Sequence, residues 1–274
     1  MDDIIKIKHR GSFHVGGERV KLENAPVEDF PYQGKFTFHS DPNGTHWAKQ
    51  MYVQYTELAE PVCPYPILMW HGGGLTGGGK DTPRELLADG AVVVGVGYRL
   101  SPHVAVDTII DDAACAVAWV FANIEKYGGD PSRIYVAGHS AGGYLVSMIG
   151  LDKSRLARYG IDADRLRGIV PFSGQAITHF EERRSRGISD KQPVVDSLAP
   201  LYHVRGDAPP ILILSGDCER EMLGRYEENA YMWRMLRLAG HKDVTLYELD
   251  GYGHDMCLPA YPLFLRFIRE HEGR

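Results

Sequence analysis

The chain has 274 residues, of which 44% are hydrophobic, 24% charged and 31 are glycine. That balance excludes an intrinsically disordered protein and supplies enough apolar material for one large core. The formal charge of −6 argues against nucleic acid as the main partner, because phosphate neutralisation needs a basic face.

The N-terminus, Met1-Asp2-Asp3, is acidic and no signal-like apolar run follows. A cytoplasmic location is therefore expected, or secretion if a signal has been removed. Nothing approaches the roughly 18 apolar residues of a membrane span. Cys63, Cys115, Cys218 and Cys257 are too few and too scattered for a disulfide scaffold or a zinc site. Period-2 stretches at Ile4–Lys8, Lys35–His39 and Met51–Leu58 predict an antiparallel start to a sheet. Gly16-Gly17 and Asp41-Pro42-Asn43-Gly44 read as the turns between them.

Continuous apolar runs then take over. Pro66–Trp70, Ala91–Val96, Arg133–Ala137, Leu166–Phe172 and Ile211–Leu214 read as strands buried on both faces, with Val244–Leu249 a further strand. Helices are predicted between and after them, at Thr82–Ala88, Val106–Tyr127, Ala141–Leu151, Glu219–Ala239 and Leu258–Glu270. The fold class is thus α/β: a mostly parallel sheet with antiparallel N-terminal strands and helices on both faces. Residues 1–274 read as a single domain. The polar stretch from Ala176 to Pro209 has only short apolar pieces, and 176–206 reads as a small cap insertion.

Arg133–Ala137 runs into Gly138-His139-Ser140-Ala141-Gly142 and then into a helix. That strand–turn–helix context makes Gly-x-Ser-x-Gly a nucleophile elbow, with Ser140 as nucleophile. Side chains at Gly138 and Gly142 are expected to collide with neighbouring backbone, and His139 reads as structural. Upstream, His71-Gly72-Gly73-Gly74 follows a buried strand. The amides of Gly73, Gly74 and Ala141 are the expected oxyanion donors, and Gly77-Gly78-Gly79 reads as a turn. A serine needs a base, and His254 in Gly251-Tyr-Gly-His254 lies between the last strand and the last helix. Asp217, at the end of the strand Ile211–Gly216, is the expected carboxylate partner, with Glu219 and Glu221 as alternatives. Asp111 and Asp112 read as a feature of a helix N-terminal region.

These motifs resemble the α/β-hydrolase superfamily, in particular carboxylesterases of the hormone-sensitive-lipase-like branch. The resemblance covers residues 65–274 and also rests on Tyr98-Arg-Leu-Ser-Pro102. Phe172-Ser-Gly-Gln175 and Gly224-Arg-Tyr-Glu-Glu-Asn-Ala230 look like a bacterial feruloyl-esterase-like subgroup. The large N-terminal helical cap of that branch is missing here, and strands occupy its place. Residues 10–75, with Gly11–Gly17, Asp41–Gly44 and Gln50–Tyr55, resemble a second bacterial esterase family. A mosaic or fusion joined near residue 74 is one expectation from that pair of resemblances.

The resemblance implies hydrolysis of carboxylic esters of small acyl or aryl acids through an acyl-enzyme. It implies no metal or cofactor, a small-molecule ester as partner, no nucleic acid and no membrane; a homo-oligomer is compatible with it. Two enzyme alternatives use the same machinery, an arylformamidase or amidase and a peptidase. A non-catalytic ligand-binding member of the fold is the third. If Asp217 meets His254, Cys218 and Cys257 become neighbours, so a Cys218–Cys257 bridge stands as the alternative to two free thiols.

Overall fold

A computed structural model describes residues 7–15, 18–24, 27–32, 36–40, 43–48, 51–58, 63, 65–77, 82–222 and 224–273. Ile4–Lys6, Gly16-Gly17, Lys35, Asp41-Pro42 and Gly78-Gly79, named above, lie outside the described residues.

The strands are β1 (Ile7–Val15), β2 (Glu18–Leu22), β3 (Glu28–Tyr32), β4 (Phe36–Ser40), β5 (Gly44–Ala48) and β6 (Met51–Leu58). They continue with β7 (Pro66–Trp70), β8 (Val92–Val96), β9 (Tyr135–His139), β10 (Gly168–Phe172), β11 (Ile211–Gly216) and β12 (Val244–Leu249). The helices are α1 (Arg84–Ala88), α2 (Val106–Asn123), α3 (Ala141–Leu151), α4 (Lys153–Ala157), α5 (Phe180–Ser185), α6 (Arg225–Leu238) and α7 (Cys257–Glu272).

Eight strands form the central sheet in the order β1-β6-β8-β7-β9-β10-β11-β12. β1 pairs antiparallel with β6, and β6 antiparallel with β8. From β8 to β12 every pairing is parallel. The antiparallel opening and the parallel continuation thus agree with the sequence pattern, and the first strands belong to the same sheet as the rest. Two small antiparallel ribbons, β2-β5 and β3-β4, stand outside it.

The apolar runs are continuous because successive residues serve two cores. Leu68, Val94, Val136 and Ile213 face one side, against Ile109, Ala113 and Val117 of α2, Leu145 and Ile149 of α3 and Met232 and Leu236 of α6. Ile67, Met69, Val93, Val170, Leu212 and Leu214 face the other, against Leu86 of α1 and Phe264 and Ile268 of α7. Alternate side chains of a strand point to opposite faces, so a strand covered twice has no polar face. β12 lies at the edge of the sheet and is half exposed.

Residues 176–206 are exposed in their middle but anchored by buried groups at both ends. Arg183 is buried because its guanidinium donates to the carbonyls of Asp190 (2.8 Å) and Gln192 (2.6 Å). The Tyr144 hydroxyl of α3 donates to Leu198 O at 2.7 Å, and Leu201 N–H to Ala176 O at 2.8 Å. Among the described residues, no helix is long and apolar enough to cross a membrane.

Candidate active site

Ser140 joins β9 to α3 with φ 55° and ψ −113°, a strained backbone for a residue with a side chain. The flanking glycines explain how the turn closes. A Cβ on Gly138 would stand 2.5 Å from the Gly142 carbonyl carbon, and one on Gly142 2.3 Å from Trp70 O. The expected collisions are therefore present. Tyr144 N–H to Ser140 O, at 3.0 Å, is the first bond along α3, so the amides of Ala141, Gly142 and Gly143 precede the helical ladder.

The glycine loop after β7 lies over this turn. A Cβ on Gly72 would be 3.2 Å from Ser140 Cβ. The loop is braced from just past β8, where the Tyr98 hydroxyl donates to His71 O at 2.9 Å and the Tyr98 ring stacks on His71 at 4.4 Å. Gly73 and Gly74 have φ of 97° and 63°, and Gly73 O accepts from the Thr76 and Gly77 amides. Phe180 closes over Gly74: its Cζ is 3.0 Å from where a Gly74 Cβ would sit.

His254 reaches this place from the loop between β12 and α7. Its Nε2 is 2.9 Å from Ser140 Oγ. The carboxylate at its other nitrogen is Glu221, with Oε2 at 2.9 Å from Nδ1. Nδ1–H donating to Glu221 leaves Nε2 to accept the Ser140 hydroxyl proton; this tautomer follows from the network. The Glu221 side chain is fully buried. Burial pushes its carboxyl pKa up, but hydrogen bonds from His254, Ser173 and the Met222 amide outweigh that and hold it at about 2.

Asp217, the carboxylate expected from the sequence, is engaged elsewhere. Its oxygens accept from Glu219 N–H at 2.9 Å and Gly251 N–H at 2.8 Å, which lower its pKa. It ties the end of β11 to the base loop through backbone. The chain then doubles back, with Arg220 and Glu221 amides both donating to Asp217 O, and this turn delivers Glu221 to His254. α6 begins at Arg225, after Gly224 in the left-handed region, and not at Glu219 as its pattern suggested.

Two further residues touch the site, both within motifs quoted above but given no catalytic part there. Ser173, just past β10, has its hydroxyl 2.9 Å from His254 Nδ1 and bonded to Glu221 Oε1. His139, whose pKa is lowered by burial and by His254, donates from Nε2 to His254 O at 2.8 Å. Four other histidines serve locally. His241 bonds Ala208 O, His203 bonds Ser197 O, His179 caps α5 and His271 pairs with Asp243. Asp112 pairs with Arg99, and Asp111 with Arg155 and Arg158, one turn into α2. None of the four cysteines is in a disulfide, and Cys218 is exposed. Asp217 binds Glu219 and Gly251 and not His254, so it does not draw Cys218 towards Cys257. A cavity of about 430 Å³ lies between the starts of α1 and α7 and reaches His139 and Asp255, but its lining includes neither Ser140 nor the glycine loop.

The BD-FAE family model matches residues 59–222. Esterase LipC of Mycobacterium tuberculosis is 30% identical over 222 residues, 72% of this chain and 55% of LipC. A probable isoprenylcysteine alpha-carbonyl methylesterase, ICMEL1 of Oryza sativa subsp. japonica, is 38% identical over 213 residues, 69% of this chain and 49% of its own. The chain spans about half the length of the curated relatives it matches. A truncated carbohydrate esterase from gut microbiota superimposes with a TM-score of 0.68 at 18% identity, over 82% of this chain and 91% of that one. Thermogutta terrifontis esterase 2, phosphonylated by sarin, gives 0.67 at 20% identity, over 91% of this chain and 96% of that one. The chain has the α/β-hydrolase fold and belongs to the BD-FAE family.

Proposed function

We propose that this chain is a serine carboxylesterase acting on esters of small acyl or aryl acids. The observation that carries the reading is the hydrogen-bonded line Ser140 Oγ, His254, Glu221, with both links at 2.9 Å. Ser140 attacks the ester carbonyl while His254 Nε2 takes its proton. Glu221 holds the ring and stabilises the imidazolium. The amides of Gly73, Gly74 and Ala141 stabilise the tetrahedral oxyanion. His254 returns its proton to the leaving alcohol, then activates the water that cleaves the acyl-enzyme.

Amide and peptide cleavage would use the same groups. The printed names of the similar proteins, all ester hydrolases, favour the ester. A purely ligand-binding role is disfavoured by a base seated against the nucleophile. Residues 176–206 act as a small cap on a single domain, a reading supported by Phe180 against Gly74.

Stopped-flow hydrolysis of p-nitrophenyl acetate tests the proposal. The expected result is a p-nitrophenol burst in the native enzyme and none in Ser140→Ala, whose turnover falls on the order of 10⁴-fold or more. Native-like rates in a clean Ser140→Ala preparation would sink it. A panel of acetyl, butyryl, feruloyl and formanilide substrates then fixes the acyl class.

A further inference from the structure

Ser173 stands where β10 ends and is held from both sides. Its N–H donates to Leu214 O of β11 at 2.7 Å, and its carbonyl accepts from the buried guanidinium of Arg225. Its neighbour Gly174 is fixed through O by Asn229 Nδ2 at 2.8 Å. The backbone φ is +48°, a conformation that disfavours any residue with a Cβ and that glycine adopts freely. The side chain has no solvent exposure. A strained, buried serine at this point calls for a reason beyond packing.

The proton count supplies one. His254 Nδ1–H lies 2.9 Å from both Glu221 Oε2 and Ser173 Oγ, so the hydroxyl accepts there. Its own proton then goes to Glu221 Oε1. Met222 N–H, 2.6 Å from Oε2, holds the other oxygen. A glutamate stem has three rotatable bonds, and its carboxylate plane turns easily unless both oxygens are held. We propose that Ser173 is a positioning residue, whose hydroxyl locks the Glu221 carboxylate against His254 and thereby sets the imidazole for proton exchange with Ser140. This rests on the serine-hydrolase reading for its kinetic consequence alone.

The test compares Ser173→Gly with Ser173→Ala. Both delete the hydroxyl; the glycine also removes the backbone strain, so its Tm is expected at or above that of the native protein. In both variants kcat should fall about tenfold with KM within about twofold, the loss of one charge-assisted hydrogen bond. The groups facing the Glu221 carboxylate are His254, Ser173, the Met222 amide, the charge of Arg225 and, more remotely, His139. Removing one donor to its charged form should move its titration, followed by carboxyl ¹³C NMR, upward from about 2. A purely structural serine would change Tm and neither of these. A folded Ser173→Gly protein with native kcat and an unmoved Glu221 titration overturns the inference. Absence of ester turnover in the native protein would instead overturn the proposed function, and the titration would still decide the role of Ser173.

Discussion

Glu221→Gln keeps the side-chain volume and deletes the charge. The native carboxylate accepts at both oxygens: Ser173 at Oε1, and His254 Nδ1 and the Met222 amide at Oε2. An amide accepts at one oxygen and donates at its nitrogen, so it cannot satisfy all three donors. If its oxygen stays at His254, the tautomer survives but the imidazolium loses its counter-charge. If its nitrogen faces His254, the ring is driven to the wrong tautomer. Either way the expected loss of kcat is on the order of 10⁴-fold, about 5 kcal/mol of barrier. Asp217→Asn should change kcat less than about threefold, because Asp217 caps a turn and does not touch the ring. Steady-state hydrolysis of p-nitrophenyl acetate by the two variants compares them directly. An active Glu221→Gln beside an inactive Asp217→Asn would refute the assignment. The carboxylate also links stability to pH. Its folded pKa of about 2 lies below the ordinary 4.5, so its stabilisation is complete above 4.5 and is lost as pH falls towards 2. That contribution is roughly 3 kcal/mol. Acid unfolding of Glu221→Gln should lack it.

Gly142→Ala places a Cβ 2.3 Å from Trp70 O. It should cost about 3 kcal/mol or more, lower Tm by roughly 6–10 °C and abolish most turnover, read by calorimetry and burst kinetics. Phe180→Ala opens space above Gly74 and should raise octanoyl over acetyl ester rates at least about threefold, by the packing argument for a cap. An unchanged ratio would place residues 176–206 away from the acyl path. Thiol titration of the unfolded, unreduced chain should find the four free cysteines; two would mean a bridge.

Ser140 was legible because it follows the end of β9 directly, and His254 because its Gly251-Tyr-Gly loop joins the last strand to the last helix, where topology fixes the face of the sheet. The carboxylate partner was misread for the same reason. Asp217 sits at the end of β11, and the rule that selects strand ends selects it, whereas Glu221 arrives through a tight turn that no periodicity announces. Apolar spacing carried the predicted helix back to Glu219, but Gly224 at φ 74° stops it short and frees the turn. Phe172-Ser-Gly-Gln175 stood out only as a family likeness, and the place of Ser173 beside Glu221 was not legible, because a serine at positive φ has no sequence signature. The insertion was read as polar, yet Arg183 is buried there, its guanidinium donating to the carbonyls of Asp190 and Gln192 in the turn that follows α5.

His139 occupies the variable place of its pentapeptide, yet three segments meet on its ring. It grows from the elbow beside Ser140. It donates to the carbonyl of His254, and its Nδ1 lies 3.0 Å from where a Gly72 Cβ would be. Loops from β7, β9 and β12 thus share one stiff, planar gauge block. Their mutual spacing is set by an aromatic ring and not by three separate loop conformations. Much of the entropy of aligning nucleophile, base and glycine loop is therefore lost when the chain folds, and a bound ester has correspondingly less ordering left to do.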